Sequence, residues 1–95
     1  MIIYDIKNDS YRTTIESANL LGIEVSTTGH MGGDAGHGGK TEIKIIDEGG
    51  TCCEFESYKE NGCNGLKMIF QGDSELDTIT EAMEFIVKIL KKHRR

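Results

Sequence analysis

The sequence predicts an α+β fold: an antiparallel sheet of four to five strands with one C-terminal helix packed across a face. Three observations predict it. Apolar residues alternate with charged ones at period two through the middle of the chain. Gly-Gly and Asn-Gly pairs punctuate those alternations. From about residue 74 to 92 the apolar period changes to that of a helix. The 95 residues suffice for a single domain, 1–95, around one core.

MIIYDIK at the N-terminus reads as a first strand. Residues 10–21 fit either period. Tyr11, Ile15 and Ala18 would line a helix, whereas Tyr11, Thr13 and Ile15 would line a strand; β-branched content favours the strand. Ile23 and Val25 in GIEVST mark another. A three-stranded meander is then expected. In TEIKIID, Ile43 and Ile45 alternate with Glu42 and Lys44, and Gly49-Gly50 offers a turn. In TCCEFESY, Cys53 and Phe55 face one side and Glu54 and Glu56 the other. Asn61-Gly62 and Asn64-Gly65 mark the next turn, and Leu66, Met68 and Phe70 alternate in the final strand.

In the helix, Leu76, Ile79, Met83, Ile86 and Leu90 recur at helical spacing, with Ala82, Phe85, Val87 and Ile89 beside them. Ser74 is the expected N-cap, with Asp77 three residues on. Acidic residues in the first half and lysines at the end suit the helix dipole. Leu76, Ile79, Met83 and Ile86 are expected to pack on Ile43, Ile45, Phe55, Met68 and Phe70. A sheet covered on one face only is a marginal unit at this size, so a homo-oligomer is expected.

The formal charge of −5 hides an asymmetry. Lys88, Lys91, Lys92, Arg94 and Arg95 close the chain, so residues 1–87 hold six basic residues against all sixteen acidic ones. Such a body repels nucleic-acid phosphate, which argues against direct nucleic-acid binding. It suits a basic protein partner. No apolar run approaches the roughly 20 residues of a membrane span, and the N-terminus has no secretory pattern. Cys52, Cys53 and Cys63 are an odd number without zinc-site spacing. They read as reduced thiols of a cytoplasmic protein, with Cys53 buried and Cys52 on the opposite face.

Residues 27–41, TTGHMGGDAGHGGKT, depart from ordinary composition. Gly29, Gly32, Gly33, Gly36, Gly38 and Gly39 place six of twelve glycines within eleven residues. Successive glycine amides can form an anion-binding nest. His30, His37, Lys40 and Thr41 add donors, and residues 29–41 are therefore the expected ligand site. DAGHGGKT is not a nucleotide-binding P-loop. Asp34 occupies its first glycine position, and a strand follows where a helix must open. His30, Asp34 and His37 are also the donor types of a two-histidine, one-carboxylate metal site. No residue is assigned a catalytic role, and no cofactor is identifiable.

The string GGDAGHGGKTEI resembles a segment of small uncharacterised bacterial and phage proteins. Size, acidity and one unusual loop are similar to those of small phage-encoded counter-defence proteins, which implies a non-enzymatic binder. Three readings follow. The first is an oligomeric protein holding a phosphate-bearing, nucleotide-like molecule on its glycine-rich loop. The second is an acidic interaction module or inhibitor that docks on a basic partner. The third is a metal-dependent enzyme using His30, Asp34 and His37.

Overall fold

The computed structural model describes residues 2–5, 10–16 and 20–93. Four strands form an antiparallel meander: β1 (Ile2–Asp5), β2 (Ser10–Glu16), β3 (Leu20–Thr27) and β4 (Thr41–Gly49), neighbours in that order. A separate hairpin follows, β5 (Cys53–Glu60) and β6 (Cys63–Phe70), and then helix α1 (Asp73–His93). The α+β class is as the sequence implies. Residues 10–16 are strand, as their β-branched content favours; Ser17, Ala18 and Asn19 of the ambiguous stretch lie outside the described residues, as do Arg94 and Arg95.

One face of the meander is buried because period two and the register align. Thr13 opposes Ile23, Ile15 opposes Leu21, Val25 opposes Ile43 and Ile23 opposes Ile45. Leu21, Ile23 and Val25 on β3 are fully buried, and with Ile15 they meet Ala82, Phe85, Ile86 and Ile89 of α1. The other face carries polar ladders. Arg12 lies 3.8 Å from Glu24 and 3.3 Å from Glu48, and Lys44 lies 3.9 Å from Glu24. A bulge where β3 begins leaves Glu48 without a paired residue. Its side chain lies over Gly22, where a Cβ would sit 2.7 Å from the carboxylate, and accepts a 2.8 Å bond from the Thr14 hydroxyl.

Three expectations are corrected. The middle strands do not form one meander: β4 pairs with β3, and β5 pairs only with β6. Gly49-Gly50 therefore begins a crossing connection. Its Thr51 is buried and donates to the Leu20 carbonyl at 3.0 Å, so the chain leaves the sheet there. The hairpin turn is Asn61-Gly62 alone, with φ of 52° and 80°, the left-handed pair that a two-residue turn requires. Asn64-Gly65 lies inside β6. Tyr58 lies over Gly65, filling the space a Cβ would need.

The helix is the second correction. It starts at Asp73, and the first hydrogen bond runs from Leu76 N–H to Gly72 O at 3.1 Å, so Ser74 sits inside it. The third is its buried face, which consists of Glu75, Thr78, Ala82, Phe85, Ile86 and Ile89. Leu76 is 62% exposed and Met83 37%. The helix rotates this way because it seats on the most apolar strand, β3. Glu75, although buried, accepts from the Cys52 amide at 3.3 Å and the Ser74 hydroxyl at 3.0 Å. Thr78 donates to the Ser74 carbonyl at 2.8 Å. Among the described residues no buried side-chain polar atom lacks a partner. None of the described helices is long and apolar enough to cross a membrane.

This seat makes a paired prediction. Ile86→Ala should cost about 2–5 kcal/mol, because it opens a cavity at a buried site. Leu76→Ala, at an exposed site, should change stability by no more than about 0.5 kcal/mol. Urea denaturation midpoints of the two variants check the rotation of the helix directly.

Candidate functional site

The glycine-rich segment 28–40 connects β3 to β4, and hydrogen bonds tie its two ends together at a neck. Thr28 N–H donates to Lys40 O at 3.1 Å, Lys40 N–H donates to the Thr28 hydroxyl at 3.0 Å, and Gly29 N–H donates to the Thr27 hydroxyl at 3.1 Å. The hydroxyls of Thr27 and Thr41 lie 2.8 Å apart below it. Two glycines are forced at this neck. A Cβ on Gly39 would collide with the Gly29 carbonyl, and one on Gly29, at φ +72°, would lie 2.5 Å from the His93 carbonyl. Farther out, His37 N–H closes a turn on Asp34 O at 2.8 Å.

The contact between Gly29 and His93 brings the loop onto the last turn of α1. Between them lies a cleft of about 580 Å³, lined by residues of the loop together with Thr27, Thr41, Leu90 and His93. The sequence-derived site is partly assembled here. Gly29, His30, Gly32, Gly33, His37, Gly39 and Thr41 line the cleft, and Asp34 and Met31 join them. Gly36, Gly38 and Lys40 do not line it. The Lys40 ammonium turns away to an exposed ion pair with Glu42 at 2.8 Å. That pairing raises the Lys40 pKa and lowers the Glu42 pKa from their ordinary values, through the hydrogen bond first and the charges second. Strand alternation explains it, since the cleft takes the Thr41 side of the strand and Lys40 and Glu42 fall on the other.

His93 is the residue that sequence reading missed. It lies 56 residues beyond His37, and only the helix seat brings it back. It now completes a cleft that holds all three histidines of the chain. Its Nε2 lies 2.9 Å from the Tyr11 hydroxyl, and its ring stacks at a tilt on Tyr11 with centroids 5.4 Å apart. Tyr4 packs on the other side of Tyr11 at 4.6 Å, and Lys92 Nζ lies 5.4 Å from the Tyr11 ring centroid. The aromatic stack of β1 and β2 thus fixes the His93 side of the cleft. The long sequence separation left no signal short of the three-dimensional fold.

The chemistry available is hydrogen-bond donation. The amides of Gly32, Gly33 and Gly39 donate to nothing among the described residues. His30, His37, His93 and Thr41 line the same space, with Met31 and Leu90 as its apolar members; the Thr41 hydroxyl and His93 Nε2 already meet Thr27 and Tyr11. Asp34 and the carbonyl end of α1 oppose them electrostatically. Although His30, Asp34 and His37 line one cleft, among the described residues no group of three His, Cys, Asp or Glu side chains could hold a metal ion.

The thiols lie elsewhere. Cys52 and Cys63 are exposed, and Cys53 is half-buried, less covered than its strand phase implies. All three are unpaired. Burial first, and then the nearby Asp47, Cys52 and Glu75 charges, push the Cys53 thiol above its ordinary pKa. No protein-family model matches this chain, and neither a curated protein nor a solved structure matches it.

Two outcomes follow from this geometry. Gly39→Ala should break the loop neck, lowering amide protection at Thr28 and Lys40, whereas Gly36→Asn should leave it intact. Asn tolerates the left-handed backbone at position 36, and no atom lies within 4 Å of a Cβ there. Hydrogen exchange distinguishes the two. Near pH 8, a thiol reagent should modify Cys52 and Cys63 before Cys53, because only the thiolate attacks; peptide mapping at short reaction times gives the order.

Proposed function

We propose that this protein is a non-enzymatic binder of a phosphate-bearing small molecule, and that the cleft between the glycine-rich loop and the end of α1 is its site. One observation carries the reading: glycines whose amides are unengaged and all three histidines line one cleft of about 580 Å³. That volume lies within the usual range for small-ligand sites, about 300–1,000 Å³. A bare anion is poorly served, because Asp34 and the helix C-terminus add negative potential. A nucleotide-like molecule fits better. Its phosphate takes the glycine amides and histidine N–H groups, and its base takes the Met31 and Leu90 surface. The three free thiols support residence in a reducing compartment such as the cytoplasm.

Docking of an acidic sheet face on a basic partner draws less support. The outer-face carboxylates Glu24, Glu42 and Glu48 are already paired with Arg12, Lys40 and Lys44. The metal-dependent reading also draws less support, because among the described residues no three His, Cys, Asp or Glu side chains are grouped as ligands.

The test is calorimetry against inorganic phosphate and a panel of nucleoside mono-, di- and triphosphates. Binding by at least one nucleotide is expected. His30→Ala with His37→Ala should weaken it at least tenfold, since each charge-assisted bond contributes about 1.5–3 kcal/mol. Lys40→Ala should bind like the wild type, because that ammonium serves Glu42 outside the cleft. The reading is wrong if no member of the panel binds, or if the double variant binds unchanged.

A further inference from the structure

The single chain exposes far more surface than its mass requires. A compact monomer of 10.5 kDa exposes about 5,400 Å²; this chain exposes 6955 Å². Its radius of gyration is 14.8 Å, against about 12.4 Å for a compact 95-residue domain. The molecule is a plate of 41 × 40 × 19 Å, one sheet and one helix thick. The excess, about 1,500 Å², is well above the roughly 800 Å² that each partner contributes to a standard protein interface.

The exposed apolar residues are not scattered. Lys92 reaches over Tyr11 on β2, whereas Leu90, two residues earlier and so on the far flank of the helix, lines the cleft with Thr27 and Thr41 at the β3–β4 end. The stripe Ile79, Met83, Val87 and Leu90 therefore lies on the β4 flank of α1. It is only partly covered, with Val87 47% exposed; a concavity of about 610 Å³ beside it is lined by residues of α1 alone. Beneath that flank the inner face of β4 carries Ile43, also exposed, and half-buried Ile45. Helix flank and strand face are thus both apolar and partly uncovered among the described residues, and the groove is the space between them.

The hairpin has the complementary deficiency. Two strands alone are marginally stable in water. The root of this hairpin is held: Gln71 N–H donates to Cys52 O at 3.1 Å, Cys52 is tied to Glu75, and Phe70 packs on the core. Phe55 and Leu66, on the same face farther out, are 42% and 67% exposed. The fixed root keeps that outer half away from its own groove.

We propose that a second copy of this chain completes the fold, each hairpin laying Phe55 and Leu66 into the groove between α1 and β4 of the other. A twofold axis makes the two contacts equivalent, so one exchange covers both deficiencies in both protomers.

Light scattering coupled to size exclusion, at micromolar concentration, tests this with Leu66→Lys and Val87→Lys. Both positions are exposed in the single chain, so each variant should keep the wild-type circular dichroism spectrum. The wild type should run at about 21 kDa, twice the 10.5 kDa of one chain. Each variant should fall to the monomer mass. An equimolar mixture should regain dimer, because one intact hairpin then meets one intact groove. A monomeric wild type overturns the proposal, as do variants that remain dimeric or a mixture that stays monomeric.

Discussion

One helix has to cover a sheet wider than itself, and where it settles decides the rest of the structure. It settles on β3, because Leu21, Ile23 and Val25 form the most continuous apolar row and lose the most water contact when covered. The helix start is then held beside Thr51–Cys53, which fixes the root of the hairpin. The helix end is held against Gly29, which closes the loop onto His93. The β4 face, lying to one side of this seat, stays partly uncovered, with Ile45 half-buried and Ile43 exposed. The cleft and the groove are thus two consequences of one packing choice.

Much of this was legible in the chain. Period two marked the strands, Asn61-Gly62 marked its turn, and the helix fell within a residue of its expected ends. The seat of the helix was not legible. Its apolar stripe spans more than half the helix circumference, so the period tells that a face is buried without telling which arc of it. Partner choice among strands was equally hidden. Ile43 and Ile45 carry the same alternation whether their strand pairs with β3 or β5, and only the glycine loop, long enough to return the chain antiparallel to β3, decides between them.

The same limits apply to the site. The concentration of glycines identified the loop because such density costs entropy and strains against ordinary packing. Gly29 and Gly39 have close-contact reasons to be glycine, whereas Gly36 serves a turn. Lys40 read as a site residue from adjacency in sequence, yet strand alternation sends it to Glu42. His93, more than fifty positions away, was absent from the sequence-derived site and becomes its third imidazole through the Tyr11 stack. Local composition locates a loop; the helix seat determines what the loop faces.

The helix seat is therefore the claim on which both the cleft and the groove stand. Methyl-resolved nuclear Overhauser spectra of the isotopically labelled protein measure it most directly. The account expects cross-peaks from Ile86 and Ile89 to Leu21, Ile23 and Val25. Spectra in which Ile86 and Ile89 touch none of these, while Leu76 and Met83 contact them instead, would contradict it.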